Sequence, residues 1–111
     1  MPERLAQFKA EFFKALSNPL RIRILDSLRG GRRAVNEISA AVGVPATSVS
    51  QQLAILRAKN LVVATKSGTT VHYEVCNPKI FKLLDVAREI FAGQLLDVRQ
   101  TLRHLRNEVR A

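Results

Sequence analysis

The feature that most restricts what this chain can fold into is a change of hydrophobic period at Asn60. Ahead of it, two short blocks carry apolar residues at three- and four-residue spacing, the rhythm of amphipathic helices. The first, Ala34 to Val42, turns Val35, Ile38 and Val42 inward and is closed by Gly43. The second, Thr47 to Lys59, sets Val49, Leu53 and Leu56 on one face. The few residues joining them include Gly43, the composition of a helix-turn-helix. Beyond Asn60 the period falls towards two. LVVATK and TVHYEV are rich in β-branched residues and separated by SGT, which predicts an antiparallel hairpin.

Two further helices frame this unit. Leu5, Phe8, Phe12, Phe13 and Leu16 give an amphipathic helix from Glu3 to Leu16. SNP interrupts it, with Asn18 as N-cap and Pro19 at the first position of a second helix running to about Arg29 and burying Leu20, Ile24, Leu25 and Leu28. GGRR ends that helix, the double glycine supplying positive φ. Asn77 and Pro78 repeat the cap-plus-proline device ahead of a long last helix reaching Arg110. Its apolar positions Phe91, Leu95, Val98, Leu102, Leu105 and Val109 form a heptad seam. Packing along its own domain is the plain reading of that seam. A helix of ~50 Å outruns what so small a domain can cover, which favours dimerisation through it. Gly93 marks a close crossing or a weak point. The expected architecture is mainly α with a small β part: five helices and a two-stranded wing, one domain over residues 1–111.

Charge narrows the partners. The chain of 111 residues has 18 Lys and Arg against 9 acidic residues, a formal net charge of +9. That balance favours a polyanion, most simply nucleic acid. An acidic membrane surface competes, but no apolar run approaches the ~20 residues that span a bilayer. MPERLAQFKAEFF mixes charges into its apolar positions, unlike a signal peptide. Cys76 is the one cysteine, which excludes an intrachain disulfide or cysteine cluster and fits a cytoplasmic location. No tryptophan, one tyrosine and five phenylalanines argue against base-stacking platforms for single strands. Nor is there a glycine-rich phosphate loop, an H-E-x-x-H pair, or a nucleophile with base and orienter, so an enzyme is not expected.

The segment TSVSQQLAILRAKNLV carries the functional signal. With Val49, Leu53 and Leu56 buried, a helical wheel points Thr47, Ser48, Gln51 and Ala54 outward and leaves Ser50 and Gln52 on the flanks. Side-chain amides can bond adenine edges in pairs, hydroxyls can reach bases or phosphates, and a helix N-terminus attracts phosphate. From Ile38 through Tyr73 there is no Asp or Glu, while Arg57, Lys59 and Lys66 are present. A capped, solvated helix start explains TSVSQQ taken alone; the acid-free window, the helix-turn-helix spacing and the hairpin together favour DNA. The hairpin tip, KSGTT, reads either as an ordinary turn or as a wing contacting phosphates or the minor groove through Lys66, Thr69 and Thr70. His72, in the wing strand, fits a DNA or surface residue better than a metal ligand.

FFKALSNPLRIRILDSL, then VNEISAAVGVPATSVSQQLAILRAKNLV and GTTVHYEV, resemble the ArsR/SmtB family of bacterial winged-helix repressors over nearly the whole chain. The resemblance implies a homodimer paired through its first and last helices, with Leu5, Phe8 and Phe12 joining Phe91, Leu95, Val98, Leu102 and Leu105 in the interface. It also implies a palindromic double-stranded DNA operator with the Thr47–Lys59 helix of each subunit in the major groove. Members are usually repressors released by a metal ion or a redox signal. The sensing residues do not carry over. The third helix reads RAVNEIS without a cysteine, and the last-helix metal positions fall on Asn77, Lys79, Ile90 and Gly93. Dithiol sensing needs two cysteines.

Asp97, His104 and Glu108 are the remaining metal candidates, suited to nickel or zinc as cofactor. Arg103 and Arg106 beside His104 disfavour a cation, and a solvated i, i+4 pair is the simpler reading. Cys76 is expected to be a small buried side chain. The competing functional reading is a protein-interaction module, or the DNA-binding half of a two-protein regulator whose separate sensor protein detects the metal or other signal.

Overall fold

The computed structural model describes residues 2–110, without the side chains of residues 95–97 and 110. It divides into two compact units, residues 1–78 and 79–111. The first holds α1 (Pro2–Leu16), α2 (Pro19–Ser27), β1 (Arg33–Ala34), α3 (Val35–Val42), α4 (Ala46–Ala58), β2 (Val62–Ser67) and β3 (Thr70–Val75); the second is α5 (Lys79–Arg110).

The core of the first unit is built where α2, α3 and α4 meet. Ile24, Leu25, Ile38, Val49, Leu53 and Leu56 are fully buried, with Val62 of β2 beside them. Each such side chain contributes about 1.5–3 kcal/mol on burial. Leu28 and Val42 are buried as expected, while Val35 and Leu20 are only half-buried.

Local chemistry sets the helix ends. Asn18 Oδ1 accepts from the backbone N–H groups of Leu20 at 2.9 Å and Arg21 at 3.1 Å, and Pro19 opens α2, as SNP predicts. α2 stops earlier than expected, at Ser27, because Leu28 already donates to the Leu25 carbonyl in a tighter turn. Of the two glycines that follow, Gly31 alone has positive φ. α3 closes on Gly43, at φ 71°, whose N–H donates to the Ser39 carbonyl at 2.8 Å. Glu37 Oε1 accepts from the Ala34 N–H at the other end of that helix.

Asn60 explains the change of period. It adopts φ 61° after α4, its N–H donates to the Arg57 carbonyl at 3.0 Å, and the Leu61 N–H donates to the Leu56 carbonyl at 2.9 Å. These are the two bonds of a Schellman C-cap, with asparagine where glycine is usual. Leu61 is then buried and the chain enters β2.

β2 and β3 pair antiparallel from Val62↔Val75 to Ser67↔Thr70. The connecting turn is two residues, Gly68 and Thr69, with Gly68 at φ 64°. The sheet has a third strand that hydrophobic period could not reveal. β1 pairs with β3 through Arg33↔Tyr73 and Ala34↔His72, giving the order β1-β3-β2. Cys76 corrects another expectation. Its N–H donates to the Leu61 carbonyl at 3.0 Å, yet its side chain is exposed because it lies past the last paired residue, Val75.

In the second unit α5 runs unbroken for 32 residues, about 48 Å at 1.5 Å per residue. It passes through Gly93 as regular helix, and a Cβ there would meet nothing within 4 Å among the described residues. Phe91, Val98, Leu102 and Leu105 are all at least half exposed. Leu95 of the expected seam lies outside the described side chains. In α1, Leu5 and Phe8 are likewise exposed, while Phe12 is half-buried and stacks edge-on against Phe13 at 5.5 Å between ring centroids.

Candidate nucleic-acid interface

α4 is amphipathic with its apolar face committed to the core, so its opposite face is fixed by default. Thr47, Ser50 with Gln51, Ala54 and Arg57 are exposed and lie along that face at the three- and four-residue spacing of a helix. The helical period alone points Ser48 outward and leaves Ser50 on the flank; the structure exchanges them, with Ser48 half-buried and Ser50 exposed. Gln52 is also half-buried, and its Oε1 is shut from solvent without a hydrogen-bond partner among the described residues. In that rotamer it cannot offer both amide groups to a base edge, whereas the exposed Gln51 can.

The turn that aims α4 is braced from two sides. Ser39 Oγ donates to the Val44 carbonyl at 2.5 Å, bridging the end of α3 to the turn. The Arg23 guanidinium, on α2, donates to the Val42 carbonyl at the C-terminus of α3, where a cation also meets the negative end of the helix dipole. At the far end of α4, Lys59 Nζ lies 3.6 Å from Glu11 Oε2 of α1. Both partners are largely exposed, so the pair adds little stability. It does occupy Lys59, leaving Arg57 as the basic side chain on the outward face of α4.

The wing presents Lys66, Thr69 and Thr70 at its tip, all exposed. His72 stands apart from them. It lies mid-strand between Ala34 and Thr65, half-buried, with Nδ1 shielded and without a hydrogen-bond partner among the described residues. Between wing and helix runs an open groove of about 530 Å³ lined by Ser50, Leu53, Ala54, Arg57, Ala58, Asn60 and Tyr73. Sequence marks Asn60 only as the point where the period changes and assigns Tyr73 no place in the site. The available signal was strand alternation, which sets Tyr73 on the same face of β3 as Val71 and Val75.

Of the metal candidates, two pair with each other. His104 Nε2 and Glu108 Oε1 lie 3.3 Å apart on α5, both well exposed, while the Asp97 side chain is outside the described residues. No group of three His, Cys, Asp or Glu side chains that could hold a metal ion occurs among the described residues. Asn77, Lys79, Ile90 and Gly93 offer an amide, an ammonium, a hydrocarbon and no side chain, so the metal site of the resembled family does not fit this donor set.

Comparison with known proteins gives this face its context. The model of the bacterial regulatory protein arsR family matches residues 18–63, which hold α2, α3 and α4. The uncharacterized HTH-type transcriptional regulator Rv0081 of Mycobacterium tuberculosis is 43% identical over 105 residues, 94% of this chain and 92% of that protein. The chain belongs to the ArsR family. The crystal structure of Rv0081 superposes with a TM-score of 0.75 at 42% identity, covering 84% of this chain and 94% of that one. That of NolR from Sinorhizobium fredii gives 0.73 at 34% identity over 81% and 90%. The solution structure of Mb0332 from Mycobacterium bovis, described as a homodimeric winged helix-turn-helix DNA-binding domain, gives 0.74 at 32% identity over 85% and 87%. This ArsR-family chain is therefore a winged helix-turn-helix transcriptional regulator that binds DNA, and not an enzyme. No helix among its described residues is long and apolar enough to cross a membrane.

Proposed function

We propose that this regulator is a cytoplasmic homodimeric repressor that reads an inverted-repeat operator. The observation that carries the proposal is the exposed face of α4, where Thr47, Ser50, Gln51 and Ala54 follow one another with no acidic residue from Ile38 through Tyr73. Gln51 makes the paired amide contact to adenine, worth about 1–3 kcal/mol of discrimination. Thr47, Ser48 and Ser50 bond bases or phosphates at the start of the helix, and Gln52 holds its flank. Arg57, Lys66, Thr69 and Thr70 anchor phosphates, and His72 supports the wing strand. The apolar stripes of α1 and α5, with Leu5, Phe8, Phe91, Val98, Leu102 and Leu105 exposed, support pairing of two copies. Two-fold pairing makes the operator an inverted repeat, because operator symmetry mirrors protein symmetry.

The test is selection of bound fragments from random-sequence duplex, with and without added nickel or zinc. An enriched inverted repeat supports the dimeric reader; sequence-indifferent binding that vanishes with salt defeats it. The mismatch between the family's metal positions and this donor set favours one further reading, in which a separate sensor protein supplies the signal. A partner recovered from cell extract only when operator DNA or metal is present would support that version, and a direct metal effect on the purified protein would remove the need for it.

A further inference from the structure

α5 separates its charges. On a helical wheel Val98, Leu102, Leu105 and Val109 fall on one line, and Arg99, Arg103, Arg106 and Arg110 fall on a parallel line about 100° round, each one residue further along. Asp97, His104 and Glu108 belong to the opposite flank by the same count. Arg99, Arg103 and Arg106 are exposed, and none of the three joins an ion pair among the described residues. From residue 90 onward, in sequence, no acidic residue shares their flank. Successive arginines step about 4.5–6 Å along the axis, so the row is a line of positive charge bordering the apolar seam.

Pairing of two copies through the seam does not neutralise this row. In heptad terms Arg99 and Arg106 occupy the positions beside the seam that face Gln94 and Thr101 in a parallel pair, and face each other's arginines in an antiparallel one. Either way the dimer carries two arginine rows that an extended polyanion complements.

We propose that the Arg99, Arg103 and Arg106 row of α5 is a second DNA site, one that contacts the phosphate backbone of duplex flanking the operator without reading its sequence. This rests on the operator-binding dimer proposed above. It assigns α5 a share of affinity in addition to its part in pairing, while α4 keeps the share of specificity.

The experiment compares the wild type with the triple variant Arg99→Gln, Arg103→Gln, Arg106→Gln. The probes are the inverted repeat enriched from random DNA, trimmed to the repeat, and the same repeat carrying one further helical turn of arbitrary duplex on each side. Affinity is followed by fluorescence anisotropy across a salt series. Glutamine keeps helix propensity close to that of arginine, and circular dichroism with sedimentation verifies that fold and pairing survive. The wild type should bind the longer duplex more tightly than the trimmed one, and the variant should lose that gain. Its log K against log salt slope on the longer duplex should flatten by about 0.9 for each phosphate no longer neutralised, up to about 5 for six arginines. The corresponding triple lysine variant should keep both the gain and the slope.

A wild type that binds the repeat but gains nothing from flanking duplex overturns the α5 site and leaves the operator reading intact. A wild type that enriches no repeat overturns both. Row-dependent binding to phosphatidylserine-containing vesicles, with unchanged DNA behaviour, would assign the row to an acidic lipid surface instead. A tetramer that the glutamine variant abolishes would assign it to further copies of the chain.

Discussion

Replacing Gly43 by alanine isolates one backbone conformation in the turn that aims α4. Gly43 has φ 71°, and a Cβ placed on it would meet nothing within 4 Å, so no steric contact adds to the cost. What remains is the penalty for an L-residue in the left-handed region, about 1–2 kcal/mol. A domain of this kind is stable by only ~5–15 kcal/mol, so the loss is readable. With a urea m-value of about 1.5 kcal/mol/M, the midpoint should fall by about 1 M at fixed protein concentration, with m unchanged. Asparagine tolerates the same φ because its short polar side chain bonds locally, so Gly43→Asn should recover part of the drop. Ser39 and Arg23 continue to brace the turn in both variants, so operator affinity well below the unfolding transition should change little. A Gly43→Ala midpoint equal to wild type, or a Gly43→Asn midpoint no higher than that of alanine, would refute this reasoning.

The same physics at Asn60, also in the left-handed region, predicts that Asn60→Gly is neutral or stabilising while Asn60→Ala loses about 1 kcal/mol, checked in the same urea series. Lys66→Ala at the wing tip should weaken binding to specific and random duplex alike and flatten the salt slope by about 2 for a dimer; a selective loss on the specific site would count against a phosphate role. Leu102→Lys places a charge in the exposed apolar stripe of α5, and sedimentation should show dissociation to monomer. A mass unchanged by that substitution would remove Leu102 from the pairing surface.

Period and capping chemistry made most of the fold legible. SNP placed the start of α2 because an asparagine oxygen and a proline do fixed jobs at a helix N-terminus, and the β-branched runs around SGT placed the hairpin. β1 was invisible because two residues, Arg33 and Ala34, carry no period; their strand character comes from pairing with His72 and Tyr73 of a distant segment. Residue type alone suggests a buried Cys76, but its backbone bond to Leu61 at the end of the strand leaves the side chain uncovered. In the candidate site, the outward positions of Thr47, Gln51 and Ala54 followed from the wheel, whereas the exchange of Ser48 and Ser50 depends on which side of α4 its neighbours cover. Tyr73 joins Ser50 and Arg57 only through the tertiary groove between helix and wing, which no local pattern encodes.

In the function proposed above, the outward face of α4 reads base sequence. The most direct test of that reading is the ratio of affinities for the enriched repeat and for random duplex, measured for wild type and Gln51→Ala at one salt concentration. The ratio should fall by about thirtyfold or more in the variant, since the dimer loses two base interactions of about 1–3 kcal/mol each, with affinity for random duplex nearly unchanged. Equal losses on both duplexes would contradict it and reduce Gln51 to a backbone contact.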